Sequence, residues 1–168
     1  MTGLSRNWVD MTSVLPAPQI AGDTPEETHE LNKMLSEAES FLASHSWCGQ
    51  IVERYFGYGV SKVVAVFLFR IAPTQPGVDE WLWTIVGDLP SAYLVTEGNS
   101  TPVKALEGYM LEMRRWIDAV RAGRPTGDLV PVNASSTKLN AEALQSRLDL
   151  IRQIILPELE SPGKDGHI

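Results

Sequence analysis

Apolar residues recur at helical spacing early in the chain. Leu31, Met34, Leu35, Ala38 and Leu42 share one face, while Glu26, Glu30, Lys33 and Glu37 fall opposite at about 100° per residue. Thr24-Pro25-Glu26-Glu27 opens this stretch with a capping hydroxyl, a proline suited to the first helical position and a glutamate that can reach back to the cap. The pattern predicts a helix from Thr24 to about Ser44 or His45. The period then falls to two. Gln50 to Tyr58 alternates roughly and ends in Gly57 and Gly59, and Lys62 to Ala72 is the most apolar strand of the chain. In the second of these Val63, Ala65, Phe67, Phe69 and Ile71 face one way and Val64, Val66, Leu68 and Arg70 the other, so it is expected to be central in a sheet and to need cover on both faces.

Trp81 to Val95 carries two apolar runs joined by Gly87-Asp88-Leu89-Pro90. Trp81 to Val86 is bulky and mostly apolar on both faces, which again predicts a strand covered twice. Pro90 has no N–H for a ladder and marks a turn or a strand start, so Ser91 to Val95 reads as a short edge strand. Asp88 is the one ionisable group at this corner. Its carboxylate is expected to satisfy backbone N–H groups of the turn, with a functional carboxylate as the alternative.

Helical spacing returns after Thr101-Pro102, where Val103, Leu106, Met110, Met113, Ile117 and Val120 form an apolar seam flanked by Tyr109, Glu112 and Trp116. Glu112 lies between the two aromatics, as a solvated rim residue or part of a pocket lip. A loop from Gly123 to Asn133 leads to a last helix beginning between Ser136 and Asn140, with Leu144, Leu148, Ile151 and Ile155 as its stripe and Pro157 placed to end it. The proline-bearing residues 1–22 read as an extended arm that lies partly against the domain or a neighbouring subunit. Residues 23–160 form one domain, and residues 161–168 a loose tail.

The element order is helix, four strands and two helices, without a helical crossover between strands. It predicts an α+β fold with a mostly antiparallel sheet of about four strands and three helices. The simplest arrangement packs all three helices on one sheet face. The other face would then be left to the arm, a helix or a second copy, the last of these giving a homodimer.

Composition narrows the functional classes. With 168 residues, 43% of them apolar, the chain can bury about two-thirds of its unfolded surface as one domain. A single cysteine excludes an internal disulfide, and the longest apolar run, Val63 to Phe69, is too short to span a membrane. No signal-peptide core occurs near the start, so a cytoplasmic, membrane-independent protein is expected. The net charge of −7 arises in the first hundred residues, where 12 acidic residues outnumber 5 basic ones. Such a surface repels phosphate backbones, which disfavours nucleic acid and suits a basic partner.

Few groups announce chemistry. His29 has Lys33 one turn on, where a second metal ligand would be needed, so no metal is expected, and no cofactor. Trp47-Cys48-Gly49 echoes a thioredoxin-type motif, but a helix precedes it, a strand follows, and a second cysteine is missing; a packed thiol is expected. His45 is expected at the carbonyls ending the first helix. Arg70 interrupts an apolar strand near its end, with Asp88, Asp79 or Glu53 as candidate partners.

The Trp81 strand, its Val-Gly-Asp-Leu-Pro corner, the following Ala92-Tyr93, and Ala105-Leu106-Glu107-Gly108-Tyr109 through Met113 and Trp116 resemble a group of small uncharacterised bacterial proteins. The resemblance spans about residues 80–156, within the same order of strand, corner and helix that the pattern predicts. It implies a bacterial cytosolic origin and brings neither an activity nor site residues.

Two functional expectations follow. The first is a non-enzymatic protein-binding protein of the bacterial cytosol that docks a basic partner on Glu26, Glu30 and Glu37, in the manner of an immunity protein. The second is an enzyme or small-ligand protein with a polar pocket near Arg70, Asp88 and Glu112, with Glu53 as a fourth contributor; it requires at least two of these to converge.

Overall fold

The computed structural model describes residues 7–132 and 134–160. The tail 161–168 and the first six residues of the arm lie outside the described residues. The elements are β1 (Leu15–Pro16), α1 (Pro25–Ala43), β2 (Gln50–Val60), β3 (Val64–Ala72), β4 (Trp81–Gly87), β5 (Ala92–Val95), α2 (Pro102–Ala122) and α3 (Lys138–Leu150). A π-helical segment, Ile151–Ile155, continues α3 into α4 (Leu156–Glu160).

The fold is α+β, and its sheet is an antiparallel meander in the order β1-β2-β3-β4-β5. The first strand, β1, was not expected. It comes from the arm, where Leu15 and Pro16 pair with Phe56 and Tyr55. Val9, Val14, Ala17 and Ile20 of the arm are buried, so burial of these scattered apolar residues docks the segment on the sheet.

Local chemistry sets the helix starts. Thr24, Thr101 and Thr137 are extended N-caps whose hydroxyls accept from the N–H groups of Glu27, Lys104 and Asn140. Glu27 does reach back, but its Oε1 accepts the N–H of Asp23 at 2.6 Å. At the far end of the β3–β4 ladder Gly87 has φ 147°, and a Cβ there would collide with the Val63 carbonyl oxygen; Asp88 N–H donates to that oxygen at 2.9 Å.

The helices occupy both faces of the sheet, which corrects the expectation of three helices on one. α1 buries Leu31, Met34, Ala38 and Leu42 against Phe56, Phe67, Phe69, Ile71 and Leu82. On the other face α2 and α3 pack over Val64, Val66, Leu68, Trp83 and Ile85. Burial explains the division. α2 buries ten residues, including Tyr109 and Trp116, a stripe wide enough for both the sheet and α3, whereas the narrow stripe of α1 suits a sheet face alone. Both faces of β3 are covered by helices of the same chain, so a second copy is not needed to cover them.

Pro157 does not end the last helix. It lies inside α4, immediately beyond the π-helical segment. A proline ring clashes with the carbonyl four residues back in an α-helix, and the wider π turn gives the backbone a route around that clash.

Candidate functional site

The four polar candidates do not form one pocket. Glu53 and Arg70 sit opposite each other on β2 and β3, and Arg70 donates to Glu53 Oε2 at 2.7 Å. Tyr55 donates its hydroxyl to Glu53 Oε1 at 2.6 Å, and Arg70 Nε lies 3.5 Å from Glu80. The Tyr55 hydroxyl first, then Arg70, hold the Glu53 carboxyl below its ordinary value. This network closes on itself. Its arginine is occupied by two carboxylates, and Glu80 was not among the partners expected.

Asp88 is at the opposite end of the β3–β4 ladder, about 20 Å from Arg70 by strand rise. Its carboxylate does not cap the turn. It faces Arg147 of α3, whose Nε lies 3.2 Å from Oδ2, so a long-range guanidinium takes the role expected of local N–H groups. Glu112 is paired with Arg115 on its own helix at 3.2 Å. On the outer face of α1, Glu26 and Glu37 are exposed and Glu30 lies 3.8 Å from Lys33.

Two hollows lie elsewhere. A cleft of about 760 Å³ is lined by Phe41 near the end of α1, by His45 just beyond it, by residues 89–93 and by residues 130–132. Its position follows from the chain's turns. Gly49, at φ 67°, sends the segment after α1 into β2, leaving residues 45–47 beside β5. There His45 contacts Phe41 edge-on with ring centroids 5.1 Å apart, Trp47 at 4.8 Å and Tyr93 at 5.1 Å, while Trp47 and Tyr93 are 5.0 Å apart. These distances are those of mutually supporting aromatic pairs.

His45 Nδ1 lies 3.1 Å from the Leu42 carbonyl, as expected of a histidine at a helix end. A carbonyl only accepts, so Nδ1 carries the proton and Nε2 is left for another partner. Cys48 is buried beside this cluster, and burial pushes its thiol up, away from the reactive thiolate.

The corner 87–90 joins this cleft to a smaller hollow of about 230 Å³. Leu89, Pro90 and Val132 border both, and the smaller one adds Trp116, Asn140 and the Asp88–Arg147 pair. Pro90 is held from behind. The buried Tyr109 donates its hydroxyl to the Pro90 carbonyl at 2.6 Å, and burial pushes that phenol far up, so it remains a donor throughout the ordinary pH range.

The aromatic lining was missed by sequence reasoning. Tyr93 alternates correctly for an edge strand, and Trp47, which meets its ring edge-on, opens the Trp47-Cys48-Gly49 motif, but no local pattern links residues 41–47 with 130–132. Comparison with protein-family models, curated proteins and solved structures finds no match to this chain. Among the described residues no helix is long and apolar enough to cross a membrane.

Proposed function

We propose that this protein is a non-enzymatic interaction protein that receives a segment of a partner protein in the cleft beside α1. The observation carrying this reading is the cleft lining. Aromatic and aliphatic side chains dominate it, with Ser91, His45 and Tyr93 supplying a few polar groups, a composition suited to anchoring a ligand by burial and orienting it by hydrogen bonds.

The net charge of −7 and the exposed Glu26 and Glu37 favour a basic partner. Neutralisation of a basic partner in the bacterial cytosol, as an immunity protein does, is a concrete form of this function; the bacterial setting rests on the sequence resemblance. The pocket alternative lacks comparable support, since Arg70 and Asp88 stand at opposite ends of a ladder and Glu112 is paired within its helix.

The test is affinity capture from a lysate of the source organism with wild-type protein, Tyr93→Ser and the double variant Glu30→Lys, Glu37→Lys. One partner in near-stoichiometric yield is expected, lost with Tyr93→Ser and weakened by charge reversal. Capture that ignores Tyr93→Ser would refute the cleft, and recovery of the protein alone would refute the function.

A further inference from the structure

The two edges of the sheet are unlike. β1 is two residues long and contains Pro16, which lacks the N–H that an added strand would need, so that edge is blunted. β5 is Ala-Tyr-Leu-Val, without charge, proline or bulge, and no other strand among the described residues pairs with its outer side. Four consecutive antiparallel residues alternate their backbone groups between the β4 ladder and the outside, so half remain available. Asn99 Nδ2 donates to the Val95 carbonyl at 3.0 Å, closing the edge at that end.

The cleft lies against the start of this open edge. Ser91, Ala92 and Tyr93 all line it, although Ala92 packs with the α2 side of the sheet and Tyr93 meets the aromatic rings on the α1 side. Consecutive residues of opposite facing border one hollow only where the strand is seen edge-on. Phe41 and His45 wall it from one layer, and residues 130–132 from the other.

We infer that the cleft binds its partner by strand addition: an extended peptide pairs with the sheet edge from Ser91 to Tyr93 and places alternate apolar side chains against Phe41 and His45 on one side and Val130 and Val132 on the other. This deepens the interaction function and rests on it. The occupant is a single extended segment with basic residues beside its apolar positions. Walls standing on both sides of β5 would meet the same walls of a second copy, which excludes edge-to-edge pairing of two identical chains. Glu37 lies two turns before His45, about 12 Å along the helix direction, within range to attract those basic flanks.

A displayed library of random peptides selected on the full chain tests this. Selected peptides are expected to alternate apolar residues, to carry lysine or arginine nearby and to lose binding to Tyr93→Ser. Methylating their backbone nitrogens one at a time should weaken binding about tenfold at every second residue, because each methyl removes one ladder hydrogen bond. Hydrogen exchange should slow at β5 amides in the complex.

Binding peptides that tolerate methylation everywhere, or that leave β5 exchange unchanged, would overturn strand addition. So would a protein whose solution mass doubles and reverts with Tyr93→Ser, which would assign the edge to a second copy. Failure to select any peptide while lysate capture stays dependent on Tyr93 overturns strand addition alone; loss of both overturns the interaction function as well.

Discussion

Tyr109→Phe isolates the hydrogen bond that fixes the floor shared by the two hollows. Tyr109 is fully buried in α2, and its hydroxyl reaches the Pro90 carbonyl at 2.6 Å across the joint between the helical layer and the β4–β5 corner. Phenylalanine retains the ring, so little packing is lost. The change removes one short bond and leaves a partly buried carbonyl without this donor, a loss of about 1–2 kcal/mol. For a chain of this size that corresponds to a fall in Tm of roughly 2–8 °C. Urea unfolding should show a lower midpoint with an unchanged slope, since the surface exposed on unfolding is the same. Tyr93→Phe is the control for stability, because Tyr93 is exposed and loss of its hydroxyl should cost under about 0.5 kcal/mol. Equal stability of Tyr109→Phe and wild type would refute the claim that this bond holds the corner. Partner binding gives a second readout, since a loosened Pro90 should weaken binding in the cleft that it borders.

Thr84 is fully buried and its hydroxyl has no hydrogen-bond partner, so Thr84→Val should raise stability by about 1 kcal/mol; a loss would reveal a partner for that oxygen. Tyr58 is pushed up to about 12, by burial first and then by the charge of Glu158, from an ordinary value of 10. Between those values the unfolded chain has released the proton and the folded chain retains it, so stability should fall as pH rises from 10 to 12, and Tyr58→Phe should flatten that fall in a pH series of denaturation. Glu53 behaves oppositely. Its depressed carboxyl contributes stability above its ordinary 4.5 that is lost as pH falls through the lower folded value, so Glu53→Gln should show a shallower acid limb, and an unchanged limb would place the acid sensitivity elsewhere. The Asp88–Arg147 pair is exposed, and a double-mutant cycle should return a coupling under about 1 kcal/mol.

Helix starts were legible because a threonine cap and the residues it bonds lie within one turn, as at Thr24 and Thr101. The double-sided apolar pattern of β3 correctly demanded cover on both faces, and Pro90 correctly marked β5 as a short edge strand. The arm was harder. Leu15 and Pro16 carry no strand pattern of their own and become a strand only because β2 offers an open edge to docked apolar residues. Pro157 misled because its clash is local in an α-helix, while the π segment that avoids it is not visible as a pattern. Asp88 misled in the same way, since Arg147 is 59 positions away in sequence. Among the four polar candidates, only Glu53 and Arg70 became neighbours, through a strand register that their positions in the hairpin allowed.

Sequence by itself determined the α+β class, the helix caps, the central place of β3 and the acidic outer face of α1. Each of these depends on spacing within a few residues or on charge that stays in water wherever the chain folds. Tertiary structure alone decided that the helices divide between the two sheet faces, that the arm completes the sheet, and that Phe41, His45, Trp47 and Tyr93 meet beside an open strand edge. Those outcomes depend on which apolar surfaces bury one another across long loops, and many residue pairs of the same chemistry could have satisfied the same local pattern.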